Sequence, residues 1–207
     1  MKAITDCSLY GIIDGDYAAR DHVCSIVSKM LTGGIDILQL RAKNWTAQQI
    51  TETAHAIHSL TREKEVPLII NDYPDIAKSI GAEGIHVGQD DLTVHDVRQI
   101  VGSDMLVGLS THSLEQARLA ATQDIDYIGF GPLFSTPTKP DYPAIGTNEI
   151  AQVHLEHPQL PVFCIGGIKL DNAASVIEAG ARRIVVVSGI LQAEDIENYT
   201  KNLKSLL

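Results

Sequence analysis

Short apolar runs rich in β-branched residues alternate along the chain with amphipathic stretches of helical period. The runs Leu9–Asp14, Ile37–Lys43, Pro67–Asp72, Gly84–Gly88, Leu106–His112, Tyr127–Phe134, Pro161–Gly167 and Arg183–Gly189 predict strands. Between them, residues 19–32, 46–64, 74–81, 93–101, 113–122, 147–156, 171–179 and 194–206 predict helices. Several of these open on cap or first-turn residues, such as Thr46, Ser113 and Asp171. Eight strand–helix pairs without a Pro/Gly/Ser-rich linker or a low-complexity tract predict a parallel sheet in one domain, residues 1–207. A doubly wound open sheet rarely needs eight such regular units, and no GxGxxG follows the first strand. A closed barrel uses eight by construction, so the expected fold is α/β, a single (β/α)8 TIM barrel.

Composition narrows the function. The 207 residues carry a formal net charge of −10, with 44% hydrophobic and 20% charged positions, which suits a compact soluble protein with a filled core. No run of about 18 apolar residues predicts a membrane span, and Met1–Tyr10 does not read as a signal peptide. Cys7, Cys24 and Cys164 are odd in number and in no CxxC spacing, so they read as reduced thiols of a cytoplasmic protein, outside any disulfide framework or zinc site. An acidic chain is a poor general binder of nucleic acid or anionic membrane, so neither is an expected partner. Any phosphate must be bound locally, against the overall field.

A TIM barrel places its chemistry at the carboxyl ends of its strands. The second strand ends Gln39-Leu40-Arg41-Ala42-Lys43. A period of two puts Gln39, Arg41 and Lys43 on one face and Leu40 and Ala42 on the other. One polar donor and two cations there make a claw for a polyanion such as diphosphate. The third strand stops at Asn71-Asp72 and the fourth runs into Gly88-Gln89-Asp90-Asp91. Carboxylates from neighbouring strand ends can share one Mg2+, which keeps waters for a substrate's phosphates to replace. Asp72 and Asp91 are the expected pair, although spacing alone leaves Asp90 as an alternative to Asp91.

The fifth strand offers Ser110 as a donor and His112 as a general acid or base. No nucleophile–base–acid triad accompanies them, and the other histidines read as surface or structural residues. After the sixth strand, Ser135-Thr136-Pro137-Thr138-Lys139-Pro140 forms a long loop in which the Thr136 and Thr138 hydroxyls and the Lys139 cation suit an anion or heterocycle. Gly166-Gly167 and Ser188-Gly189, after the seventh and eighth strands, stand where such barrels commonly bind a monophosphate. The residues thus imply one metal-assisted diphosphate site and one monophosphate site in a single mouth. With no covalent nucleophile evident, the chemistry they suit is displacement of diphosphate by a second, phosphorylated substrate.

In order and register, the motifs QLRAK (39–43), IND (70–72), HVGQDD (86–91), GLSTH (108–112), DYIGFGPLF (126–134), TPTK (136–139), IGGI (165–168) and VVVSGI (185–190) resemble the thiamine phosphate synthase family. The resemblance covers essentially the whole chain. It implies that Gln39, Arg41, Lys43, Asn71, Ser110 and Lys139 bind an aminopyrimidine diphosphate, with Leu40 and Ala42 in the same binding run. Asp72 and Asp91 would ligate Mg2+. Thr136, Pro137, Thr138, Gly167, Val187 and Ser188 would hold a thiazole phosphate. The implied reaction loses diphosphate first, with Lys139, Ser110 and Arg41 as the catalytic groups. Relatives of this kind also suggest a possible homo-oligomer. Two departures lie on the thiazole side: Pro143-Ala144-Ile145-Gly146 where a proline two residues before the glycine is expected, and Ser188-Gly189-Ile190 where Ser-Ala-Ile is more usual.

Two rivals remain. A thiazole tautomerase would need a proton-transfer residue, for which His112 is available, but that relative lacks the metal carboxylates and the full cationic claw. A non-catalytic ligand-binding barrel would be expected to have lost Asp72, Asp91 or Lys139, and all three are present.

Overall fold

In the computed structural model of the chain, residues 1–136 and 142–207 are described. Among them, eight parallel strands close into a barrel in sequence order: β1 (Leu9–Asp14), β2 (Ile37–Arg41), β3 (Leu68–Asn71), β4 (Gly84–Val87), β5 (Leu106–Thr111), β6 (Tyr127–Phe130), β7 (Val162–Cys164) and β8 (Ile184–Val186). The seam closes by pairing Leu9 with Ile184 and Tyr10 with Val185. Around it stand α1 (Val23–Thr32), α2 (Ala47–Glu63), α3 (Pro74–Ile80), α4 (Val94–Val101), α5 (Leu114–Ala120), α6 (Ile150–Glu156), α7 (Ala173–Glu178), α8 (Ser188–Leu191) and α9 (Ile196–Lys204). The expected single (β/α)8 TIM barrel is the observed one.

The local chemistry explains most boundaries. Thr46 caps α2 in a reciprocal box with Gln49, and Ser113 accepts the Gln116 amide at the start of α5. Asp171 is not a cap: α7 starts behind Asn172, whose Oδ1 accepts the Lys169 amide at 2.8 Å. Several strands end earlier than their apolar runs. β2 stops at Arg41, and β6 stops at Phe130, just before Pro132, which has no N–H to continue a ladder. β8 ends at Val186 and is followed by the four-residue α8, where the sequence pattern runs the strand on to Gly189.

Side chains alternate between two layers. Leu9, Ile13, Leu38, Leu40 and Ala42 pack outward against the helices, whereas Tyr10, Ile12, Ile37, Ile69, Tyr127, Phe163 and Val185 form a separate cluster inside the barrel. Tyr10 and Tyr127 meet Phe163 edge-on, at centroid distances of 5.4 and 5.5 Å. Glycine on β5 makes room for them: a Cβ at Gly108 would stand 2.1 Å from Tyr127 Cζ and 2.5 Å from His86 Nδ1. Gly108→Ala is therefore expected to cost about 1–3 kcal/mol through overpacking. Thermal melts would read that loss, together with a fall in activity as Tyr127 and His86 are displaced.

The amino-terminal face is held by a repeated device. An acidic residue placed just before β2, β4 and β6 reaches back to the first amides of the preceding strand and pairs with a base. Asp36 accepts the Ser8 and Leu9 amides, each at 2.9 Å, and binds Lys2 and Lys204. Glu83 accepts the Leu68 amide at 2.9 Å and meets His58, and Asp126 accepts the Val107 amide at 2.7 Å and meets Arg98. Burial opposes ionisation of Asp36, but the two lysines and two amides hold its carboxyl below the usual range. The position before β8 carries Arg183 instead. Three buried side-chain nitrogens without a hydrogen-bond partner among the described residues belong to this quarter or to α6 beside it: His154 Nε2, His157 Nε2 and Arg183 Nε. Burial, reinforced by Arg182 and Arg183, pushes His154 down to about 4.

Candidate active site

The carboxyl ends of the strands surround a mouth of about 900 Å3, part of it open to solvent. Arg41 is held by its neighbour in register: Asp14 on β1 pairs with Arg41 on β2, and their side chains form a 2.5 Å ion pair that is almost fully buried. Gln39, one turn of the pleat deeper, donates to Tyr10 Oη at 2.6 Å. Lys43, just past the strand, reaches across to Asp72 at 3.1 Å. Strand parity thus brings Gln39 and Arg41 to the mouth at two depths, whereas Lys43 lies beyond the end of β2, off the lining of the mouth, and meets Asp72 from the turn. Leu40 and Ala42 point into the sheet–helix layer, and neither lines the mouth.

Asp72 sits at the end of β3 with φ of 64°, in the left-handed region, its amide bonded to the His86 carbonyl at 3.0 Å. That turn aims its carboxyl at Asp91, whose Oδ2 accepts the Gly88 amide at 2.7 Å. Burial first, and the Asp91 carboxyl beside it, hold Asp72 above the usual carboxylate range in spite of Lys43. Asp90 turns elsewhere and accepts from the Tyr142 hydroxyl at 2.9 Å. Two facing carboxyls that resist joint ionisation are a donor set that a cation would relieve, and a two-carboxylate set suits Mg2+, which keeps waters in its shell. Among the described residues, no group of three or more His, Cys, Asp or Glu side chains gathers as a richer metal site.

From Ser110 a hydrogen-bonded chain descends through the barrel. Ser110 Oγ meets His86 Nε2 at 2.9 Å, His86 Nδ1 meets Tyr127 Oη at 3.1 Å, and Tyr127 meets Tyr10 at 3.1 Å, ending on Gln39. Burial holds both tyrosine hydroxyls well above their ordinary range, so both are neutral. Sequence reading missed Tyr10, His86 and Tyr127 and took His86 for a structural histidine. The available signal was parity: His86 pairs with inward-facing Gly108, two residues before Ser110. His112 lines the mouth too, with Nδ1 at 2.5 Å from the Gly131 carbonyl.

Asn71, Thr136, Gly167, Val187 and Ser188 also line the mouth. The predicted Pro137, Thr138 and Lys139 lie outside the described residues. The glycine pair after β7 serves the chain itself first. A Cβ on Gly166 would stand 2.3 Å from Pro132 Cα, and one on Gly167 would stand 2.7 Å from Phe134 Cβ, at φ of 100° and 66°. These glycines let the loop after β6 lie directly on the end of β7, where Phe134 N–H bonds the Gly166 carbonyl at 3.0 Å. Gly189, one of the two departures, has a similar reason: a Cβ there would come within 2.9 Å of Tyr199 Oη, which accepts the Leu170 amide.

Comparison with known proteins places this arrangement. A family model described as thiamine monophosphate synthase matches residues 9–190. The thiamine-phosphate synthase of Halalkalibacterium halodurans is 38% identical over 202 residues, 98% of this chain and 96% of that protein. That of Thermus thermophilus is 42% identical over 179 residues, 86% of each. Among solved structures, the thiamine phosphate pyrophosphorylase from Pyrococcus furiosus superposes with a TM-score of 0.88 at 30% identity, covering 98% of this chain and 96% of that one. Similarity of this extent, running through every strand of the barrel, makes the chain a transferase that belongs to the thiamine monophosphate synthase family.

Proposed function

We propose that this transferase joins an aminopyrimidine diphosphate to a thiazole phosphate, or to its carboxylated form with loss of the carboxylate as CO2, in a Mg2+-dependent reaction that releases diphosphate. The observation carrying this reading is the meeting of Asp72 with Asp91 beside Lys43, which fits a diphosphate held through a metal. Asp72 and Asp91 would hold the Mg2+, whose bound charge offsets that developing on the leaving diphosphate.

The bond between the pyrimidine methylene carbon and the diphosphate oxygen breaks with its electron pair leaving on oxygen. Electron release from the ring amine stabilises the cation left behind, and the thiazole nitrogen lone pair forms the new carbon–nitrogen bond. No proton need be removed by the protein, so its work is charge stabilisation and positioning. Arg41 and Lys43 supply fixed positive charge, and Lys139 joins them in this reading. Gln39 donates to Tyr10. In this reading the chain running from there through Tyr127 and His86 donates toward Ser110, so that the Ser110 hydroxyl proton would serve a substrate oxygen. Thr136, Thr138, Gly167, Val187 and Ser188 would take the thiazole phosphate.

The test is diphosphate release by the purified protein with Mg2+ and both substrates, each omitted in turn. Release that needs all three, with an equal amount of thiamine phosphate formed, is the expected result. No release while both substrates still bind would overturn it and turn attention to the tautomerase reading through His112.

A further inference from the structure

The loop after β6 leaves the barrel at Gly131 and returns at Gly146. Its neck is closed by backbone: Ile145 N–H bonds the Pro132 carbonyl at 2.8 Å and Gly146 N–H bonds the Leu133 carbonyl at 3.1 Å. Tyr142, on the return limb, lies beyond this neck and touches two other strand-end loops. Its hydroxyl donates to Asp90 Oδ2, in the loop after β4, at 2.9 Å. Its ring lies on that of His112, at the end of β5, with centroids 4.2 Å apart and planes 30° from parallel. His112 in turn bonds the Gly131 carbonyl, so one imidazole braces both limbs of the same loop.

We infer that Tyr142 is a positioning residue of this transferase, tying the loop after β6 to the loops after β4 and β5 and so setting how tightly the diphosphate substrate is held. The inference rests on the proposed reading of Asp72 and Asp91 as the diphosphate end of the site. It also gives the adjacent acids separate work: Asp91 faces Asp72, and Asp90 anchors the loop that carries Thr136. Asp90 adjoins Asp91, so the tie fixes the loop that presents Asp91, and a segment fixed beforehand has less conformational freedom to lose when the diphosphate binds. The consequence falls on binding, not on the bond-breaking step.

The experiment compares Tyr142→Phe, Asp90→Ala, Asp90→Asn and the Tyr142→Phe/Asp90→Ala double variant. Tyr142→Phe keeps the ring on His112 and removes only the hydroxyl. A hydrogen bond to a charged group is worth roughly a tenfold effect. The KM for the pyrimidine diphosphate is therefore expected to rise about tenfold, with kcat within about threefold of wild type. Asp90→Ala should match it, Asp90→Asn should recover most of the loss through its amide oxygen, and the double variant should be no worse than either single one. Hydrogen exchange supplies a readout independent of turnover: the Ile145 and Gly146 amides should exchange faster in Tyr142→Phe. Wild-type KM in Tyr142→Phe, additive losses in the double variant, or unchanged exchange would each overturn the inference. Were the wild-type protein to release no diphosphate, the proposed reaction would fail while the exchange comparison still judged Tyr142.

Discussion

With Asp91 replaced by asparagine, turnover should fall by about 10²–10³-fold, the scale of losing one fixed group that stabilises charge developing on a leaving group. Asparagine keeps an oxygen to accept the Gly88 amide, so the turn after β4 survives and the loss is chemical. Asp72→Asn should behave alike. Alanine is the wrong probe at Asp72, because φ of 64° suits Asn and Asp far better than Ala and would add backbone strain to the loss of the carboxyl. Thermal melts give a second readout. Mg2+ should raise the midpoint of the wild-type protein by mass action and raise that of either variant less. An Asp91→Asn variant with wild-type rate and a wild-type Mg2+ shift would remove Asp91 from the site.

The largest loss of stability is expected at the opposite end of the barrel. Asp36→Ala strands the buried Leu9 amide and the half-buried Ser8 amide and releases Lys2 and Lys204 together. Each stranded buried amide costs about 1–3 kcal/mol, so the substitution should cost about 3–5 kcal/mol in all. In a chain of this length that lowers the melting midpoint by roughly 10 °C. The pH dependence has a definite sign. The fold lowers the Asp36 pKa from an unfolded value of about 3.9, so its contribution is complete above that pH and is lost as the pH falls below it. Denaturant melts at pH 7 and pH 3 should show the difference between wild type and Asp36→Ala shrinking in acid. A difference that stays constant or grows would show that the charge on Asp36 is not what holds the clasp.

The geometry of the candidate site was legible where strand parity governs it. The alternation in QLRAK put Gln39 and Arg41 on one face, with Lys43 carried past the strand end to Asp72, and adjacency of the third and fourth strands brought Asp72 to Asp91. Parity also marked Leu40 and Ala42 as outward, which is where they pack. What escaped was the polar chain inside the barrel. Tyr10 and Tyr127 stand in apolar runs and look like core, and a histidine in such a run looks like a structural residue. Their partners lie on other strands: Tyr10 is 117 positions from Tyr127, and Tyr127 is 41 from His86. Asp36 escaped for the same reason, since Lys204 is 168 residues away and no local pattern joins them. The glycine pair after β7 was found but first explained by a ligand, whereas chain–chain packing against Pro132 already demands it.

The acidic clasps divide the barrel into two-strand staves: β1 with β2, β3 with β4, and β5 with β6. Among the described residues the fourth stave has no such clasp. β7 and β8 share one register pair, Cys164 with Ile184, where β1 and β2 share five, and Arg183 stands where the other staves place an acid. A cylinder hooped on three sides opens along the fourth. Local unfolding, drawn to where the bonds are fewest, would begin at the boundary between β7 and β8. Val187 and Ser188 lie at the upper end of that boundary and line the mouth, so a phosphate gripped there would also act as the missing hoop.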